Sequence, residues 1–182
     1  NRGTDKITTP IRPIGLSVLL PHHSYFYYHP YQAQQANSTK QRIMTPELES
    51  YLLANSDSEG DYLYRLYRAT NIHLLHGRMA SGHLQGRVLK MLVRMAQPKN
   101  ILEIGTFSGY SALCMAEGLE EGGMVYTFEI NDEQEDFTRP WIENSPVADK
   151  IKFIIGDALT EAPKLGVEFD MAFIDGDKRT YM

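Results

Sequence analysis

Ile101-Leu-Glu-Ile-Gly-Thr-Phe-Ser-Gly-Tyr-Ser111 is the stretch on which the fold of this chain turns. Ile101 to Ile104 reads as a buried strand, Gly105 and Gly109 let the backbone bend close to a ligand, and Ser111 to Leu119 continues as an amphipathic helix. The amides at that helix start face whatever is bound. A strand, a glycine-spaced turn and a helix in this order are how an α/β fold builds a nucleoside-cofactor site.

The spacing Glu-x-Gly-x-x-x-Gly puts Glu103 where pyrophosphate-binding loops carry their first glycine. A carboxylate there repels a diphosphate and attracts a ligand that carries an ammonium and a sulfonium, so S-adenosylmethionine is expected rather than a dinucleotide. An ordinary strand-turn-helix with incidental glycines is the rival reading, and the rest of the chain weighs against it. After the turn Glu120-Glu-Gly-Gly123, Met124 to Ile130 alternates and is rich in β-formers, which leaves Glu129 at the C-terminal end of a second strand. A carboxylate in that place meets ribose hydroxyls. Asn131 to Asn144 reads as a polar helix capped by Asn131, and Lys150 to Ile155 as a third strand entering Gly156-Asp157-Ala158. The fourth strand, Phe169 to Ile174, runs into Asp175-Gly-Asp-Lys178 and is apolar enough to want neighbours on both sides. All four loops then converge at one sheet edge.

Glu103 to Ser111, Gly156-Asp-Ala158 and Phe173-Ile-Asp-Gly-Asp-Lys178, with the upstream Met79-Ala-Ser-Gly-His-Leu-Gln-Gly-Arg-Val-Leu89, resemble the caffeoyl-CoA and catechol O-methyltransferases, the metal-dependent class I S-adenosylmethionine enzymes, bacterial type. The resemblance covers roughly Met44 to Met182. It implies a Rossmann-like α/β sheet with helices on both faces, preceded by N-terminal helices that lid the crevice. It also implies a homodimer and a small phenolic or catechol acceptor. Carried over by position, Ser81, Glu103, Gly105 and Ser111 surround the methionine moiety, Glu129 holds the ribose, and Asp157 with Ala158 borders the adenine. Asp177 lies near the cofactor, and Met79 stands where cofactor and acceptor meet. Asp175 is implied as the metal ligand and as a neighbour of the cofactor, and Lys178 as base or orienting cation. Mg²⁺ is the expected ion, with Mn²⁺ or Ca²⁺ as alternatives, because hard cations take oxygen ligands and acidify a bound hydroxyl. Phe107 and Tyr110 flank the loop, where an aromatic face gains about 1 kcal/mol from a sulfonium. For Phe107 packing explains the residue equally well, and for Tyr110 packing is the better explanation.

The family completes its metal site with an Asp-Asn pair roughly 25 residues beyond the first aspartate, and the sequence ends at Met182. The chain is therefore expected to lack those ligands and the last strands. A nucleotide-dependent oxidoreductase of Rossmann type, and a cofactor-binding protein inactive through loss of metal ligands, stay open as alternatives. Residues 1–43 show no clear helical or strand period and are expected to be a non-native or disordered extension, with Met44 as the initiator of a domain over 44–182. His22, His23 and His29 read as a loose surface cluster rather than a metal site.

Three helices are expected before the first strand. They are Pro46 to Ala54, introduced by Thr45-Pro-Glu, then Tyr62 to Leu75, and Leu84 to Met95, where Leu84, Val88, Leu92 and Met95 recur on one face before Pro98. His73 and His76 are placed on a shared helix face. A formal charge of −5 and a pI near 5.7 give no basic footprint for nucleic acid. Ile14 to Leu20 is too short to span a bilayer, so no membrane association and a cytoplasmic location are expected. Cys114, the one cysteine, reads as a buried small hydrophobe.

Overall fold

In the computed structural model, which describes Leu16–Val18 and residues 44–176, five parallel strands share one sheet. In chain order they are Leu16–Val18 (β1), Asn100–Ile104 (β2), Met124–Glu129 (β3), Ile151–Ile155 (β4) and Met171–Ile174 (β5). Side by side they run β1-β5-β2-β3-β4. From β2 the chain steps outward to β3 and β4, then crosses back to lay β5 on the other side of β2. The order therefore reverses at β2, and the loop beyond its carboxyl end lies at the switch point where open α/β sheets bind ligands.

The helices are Pro46–Ala54 (α1), Gly60–His73 (α2), Gly82–Ala96 (α3), Tyr110–Ala116 (α4), Glu135–Glu143 (α5) and a single turn Ala158–Glu161 (α6). Thr45 caps α1 as the sequence suggests, its hydroxyl accepting from the Leu48 amide at 3.3 Å with Pro46 in the first turn. Asn131 also caps, but it opens a 3-10 turn, Asp132–Gln134, from which α5 continues. The helix expected over Asn131 to Asn144 is thus two segments.

Four other expectations change. The buried face of α3 is Gly86, Arg87, Leu89 and Val93, whereas Val88 and Met95 of the predicted apolar face are exposed. The hydrophobic period alone placed the face one step off, because the true contact is built on a glycine and an arginine. The helix after the glycine turn is not amphipathic: every residue of α4 is buried, since sheet, α2 and α3 enclose it. α2 ends at His73, and His76 stands outside it in the left-handed region at φ 63°, so the two histidines share no helix face. β1 was not expected at all, since three residues are too few to show a period. It pairs with β5, Leu16 opposite Met171 and Val18 opposite Phe173, and gives the fourth predicted strand a second neighbour. The remaining residues before Met44, with His22, His23 and His29, lie outside the described residues.

Leu89 and Val93 of α3, Met115 of α4 and the strand residues Ile101, Val125 and Phe173 form the main core. Cys114 is fully buried, and burial pushes its thiol up to about 12, as expected of an inert hydrophobe. Close approach of α3 to α4 depends on Gly86, where an added Cβ would stand 2.6 Å from Cys114 Sγ and 3.0 Å from the Tyr110 ring. Gly86→Ala is expected to cost about 1–3 kcal/mol through overpacking, partly offset by about 1 kcal/mol of helix propensity. Thermal unfolding of the ligand-free protein reads the difference. A higher melting temperature in the variant would mean that the two helices separate freely. Among the described residues no helix is long and apolar enough to cross a membrane.

Candidate cofactor site

The carboxyl ends of β2, β3, β4 and β5 bring Glu103, Gly105, Phe107, Ser111, Glu129, Asp157, Ala158 and Asp175 to one edge of the sheet. α3 precedes β2 and lies against α4, so its first turn, with Ser81 and Met79 just before it, stands at the same edge. Asp177 and Lys178 lie outside the described residues.

Gly105 has φ 97°, and a Cβ there would sit 2.6 Å from the Asp175 carbonyl oxygen and 3.1 Å from the Gly176 nitrogen. The end of β2 thus presses directly on the backbone that follows β5, and only glycine fits. Phe107 is left-handed at φ 50°, a costly geometry for an aromatic residue. Two bonds hold it there. Its amide donates to Glu129 Oε2 at 2.8 Å, and its carbonyl accepts from the Thr138 hydroxyl at 2.5 Å. Gly109, φ 83°, then admits the chain into α4.

Glu129 is buried, and its second oxygen accepts from the Asn131 amide at 3.0 Å. Two backbone amides occupy two of the carboxylate's roughly four acceptor positions, so it braces the loop and still has room for a ligand hydroxyl. Asp157 caps α6 through a 2.9 Å bond from the Leu159 amide, while Ala158 is buried behind it.

Glu103 is different. It is fully buried, and neither carboxylate oxygen meets a partner in hydrogen-bonding geometry. Burial pushes its carboxyl up to about 7; the nearby Ser111 and Thr127 hydroxyls favour the charged form, while Asp175 and Glu129 add repulsion. An orphaned buried carboxylate behind a glycine turn suits a cationic ligand. Among the described residues no three metal-ligating side chains converge, and Asp175 is the one predicted ligand described.

A family model described as O-methyltransferase matches residues 53–182. The chain belongs to that O-methyltransferase family. A caffeoyl-CoA O-methyltransferase of Stellaria longipes is 30% identical over 148 residues, covering 77% of this chain and 61% of the relative. A catechol O-methyltransferase of Mycobacterium tuberculosis is 36% identical over 102 residues, covering 56% and 46%. The SAH-bound Podospora anserina methyltransferase PaMTH1 superposes with a TM-score of 0.68 at 32% identity, covering 74% of this chain and 58% of that one. This member of the O-methyltransferase family therefore spans about three fifths of the length of the first relative.

Several residues at this O-methyltransferase edge escaped the sequence reading. Ile130, directly after Glu129, is 74% exposed, and Leu159, directly after Ala158, is 72% exposed. Ile130 directly follows β3 and Leu159 lies in α6 just beyond β4, and the two segments are joined where the Gly156 amide donates to the Glu129 carbonyl at 2.8 Å. The available signal was an apolar side chain set immediately beyond an acidic strand end. Ser108 is buried with an unpartnered hydroxyl inside the loop, and Thr106 and Thr127 are buried and bonded to each other at 2.6 Å. Hydroxyls of that kind leave no trace in hydrophobic periodicity. Tyr110, by contrast, is packing, as favoured: its ring meets Tyr67 edge-on and its hydroxyl donates to Glu59 at 2.6 Å.

Proposed function

We propose that this protein transfers a methyl group from S-adenosylmethionine to a hydroxyl of a small phenolic acceptor of catechol type. The observation that carries the reading is Glu103, buried and unpartnered behind the Gly105 turn, which a ligand ammonium satisfies and a diphosphate does not. The sulfonium supplies an electrophilic methyl; the chain's own part is binding and alignment, which alone can lower a transfer barrier by several kcal/mol. Glu103 receives the ammonium, with Ser81 and Ser111 around the methionine end. Glu129 takes ribose hydroxyls on its free acceptor positions. Ala158 and Asp157 border the adenine between the exposed apolar Ile130 and Leu159.

Met79, exposed before α3, faces the acceptor. The catechol and caffeoyl-CoA names of the relatives support a phenol with adjacent hydroxyls. Metal assistance by a divalent cation belongs to the same reading, with Asp175 as a ligand at the β5 end and Lys178 as base. A bound divalent ion would make an acceptor hydroxyl more acidic. The exposed apolar stripe Val88, Met91 and Met95 on α3 supports a homodimer.

Calorimetry with S-adenosylmethionine and with NAD tests the cofactor, and only the former is expected to bind. Methyl transfer to catechol is then compared with and without Mg²⁺. Asp175→Ala is expected to remove the metal-dependent part of turnover and to leave cofactor affinity within a few-fold. NAD binding would sink the reading, and equal loss of affinity and turnover in the variant would make Asp175 a support of the fold. Cofactor binding without turnover would favour a binding protein over an enzyme.

A further inference from the structure

Thr127 stands directly opposite Glu103 in the β2–β3 register, so the two side chains leave the same face of the sheet side by side. On the other flank Glu103 is opposite Phe173, which offers no polar atom. Thr127 is fully buried and Thr106 almost so, and their hydroxyl oxygens are 2.6 Å apart. Two buried hydroxyls share one bond, so one of their two protons is used and the other needs an acceptor. If Thr127 donates to Thr106, the carboxylate of Glu103 receives nothing from its cross-strand neighbour. If Thr106 donates to Thr127, the second proton is left on the Glu103 side, where in this structure it falls short of hydrogen-bonding geometry with either carboxylate oxygen. The second polarity is favoured when the carboxylate is drawn within reach, because a chain that ends on a charged acceptor strengthens every bond in it.

We infer that, once the ammonium of the cofactor is bound, the Thr106–Thr127 hydroxyl pair donates to the Glu103 carboxylate and fixes the orientation in which it meets that ammonium, which makes Thr127 a positioning residue of this site. The inference rests on the cofactor reading above and goes beyond it in naming what aims the carboxylate. A charged oxygen with no direct partner in a buried pocket is free to rotate away from a ligand. A neutral hydroxyl donor fixes it without cancelling its charge, whereas an arginine or lysine in that place would consume the charge that the ligand needs. The same design explains why a β-branched hydroxyl suits this point of the core: it fits the pleat and carries one proton.

The test is binding of S-adenosylhomocysteine, which has the ammonium, against 5′-deoxy-5′-methylthioadenosine, which lacks the whole amino-acid end. Thr127→Val keeps the shape and removes the hydroxyl, Thr127→Ser keeps the hydroxyl, and Thr106→Val removes the donor behind it. Thr127→Val is expected to weaken S-adenosylhomocysteine about tenfold, the worth of one hydrogen bond to a charged group, and to leave methylthioadenosine unchanged. Thr106→Val should give a smaller loss of the same selectivity, and Thr127→Ser should restore parental affinity. Unfolding midpoints without ligand establish that each variant is folded; should Thr127→Val not fold, Thr106→Val and Thr127→Ser carry the comparison. Equal weakening of both ligands would make the hydroxyl a general support of the sheet and overturn the inference, as would parental affinity for both. A parent protein that binds methylthioadenosine as tightly as S-adenosylhomocysteine would overturn the ammonium reading of Glu103 itself. That result precedes any variant, so the two failures are distinguishable.

Discussion

Gly105→Ala is expected to abolish detectable cofactor binding and to destabilise the protein by about 2–4 kcal/mol. Two costs add. At φ 97° an alanine leaves the region open to L-residues, and its Cβ would lie 2.6 Å from the Asp175 carbonyl oxygen and 2.9 Å from the carbonyl carbon. Those atoms are backbone held to β2 by the bond from the Asp175 amide to the Ile104 carbonyl at 2.9 Å, so nothing flexible can yield. Relief requires the ends of β2 and β5 to separate, and that is where the predicted ligand-bearing loops meet. Gly122→Ala is the matched control: its φ is 78° and nothing lies within 4 Å, so it should cost only about 1 kcal/mol of backbone strain and leave binding intact. Denaturant midpoints and calorimetry on the two variants read both effects. Equal destabilisation by both would show that conformation, not close approach, is what Gly105 supplies.

The fold was legible where local chemistry and periodicity agree. Thr45 and Asn131 cap helix starts because their side-chain oxygens accept from amides that have no intrahelical partner, and the strand run before Gly105 is recognisable because it is short, apolar almost throughout and ended by a glycine turn. Glu103 stood out because it breaks that run, and the break is the site. What could not be read is what depends on a third element. Val88 and Met95 look like core in one dimension, yet α4 reaches α3 through Gly86 and Arg87, whose guanidinium is paired with Glu117 at 3.0 Å. A buried arginine announces itself only once its partner is in place. The hydroxyls of Thr106, Ser108 and Thr127 are equally silent, since a threonine in a strand or a hydroxyl in a turn is unremarkable until neighbouring elements bury it beside a carboxylate.

Glu103→Gln is expected to stabilise the ligand-free protein at neutral pH while weakening cofactor binding by about 30- to 1000-fold. In the unfolded chain the carboxyl titrates near its ordinary value of 4.5, and in the fold burial raises it to about 7. A raised carboxyl favours the protonated native state. Its contribution is fully present below about 4.5 and is lost as pH rises through about 7, a change of order 3 kcal/mol. The parent's ligand-free stability should therefore fall across that window and level off above it, with Asp175 and Glu129 adding repulsion from the same pocket and the Ser111 and Thr127 hydroxyls opposing it. Glutamine carries no charge and removes the fall, though its buried amide keeps part of the cost, leaving a gain of about 1–3 kcal/mol near pH 7.5.

Binding moves the other way. An ammonium needs the ionised carboxylate, so parental affinity should rise between pH 5.5 and 7.5, while the variant's affinity should be low and flat. Unfolding midpoints and calorimetry at the two pH values decide it. A variant less stable than the parent at both would mean that Glu103 is satisfied in the free protein, and the charge stored there would not be held for a ligand. A stability gain paired with a binding loss would identify Glu103 as a destabilised group kept for binding, because the energy spent on burying its charge is recovered only when a cation arrives.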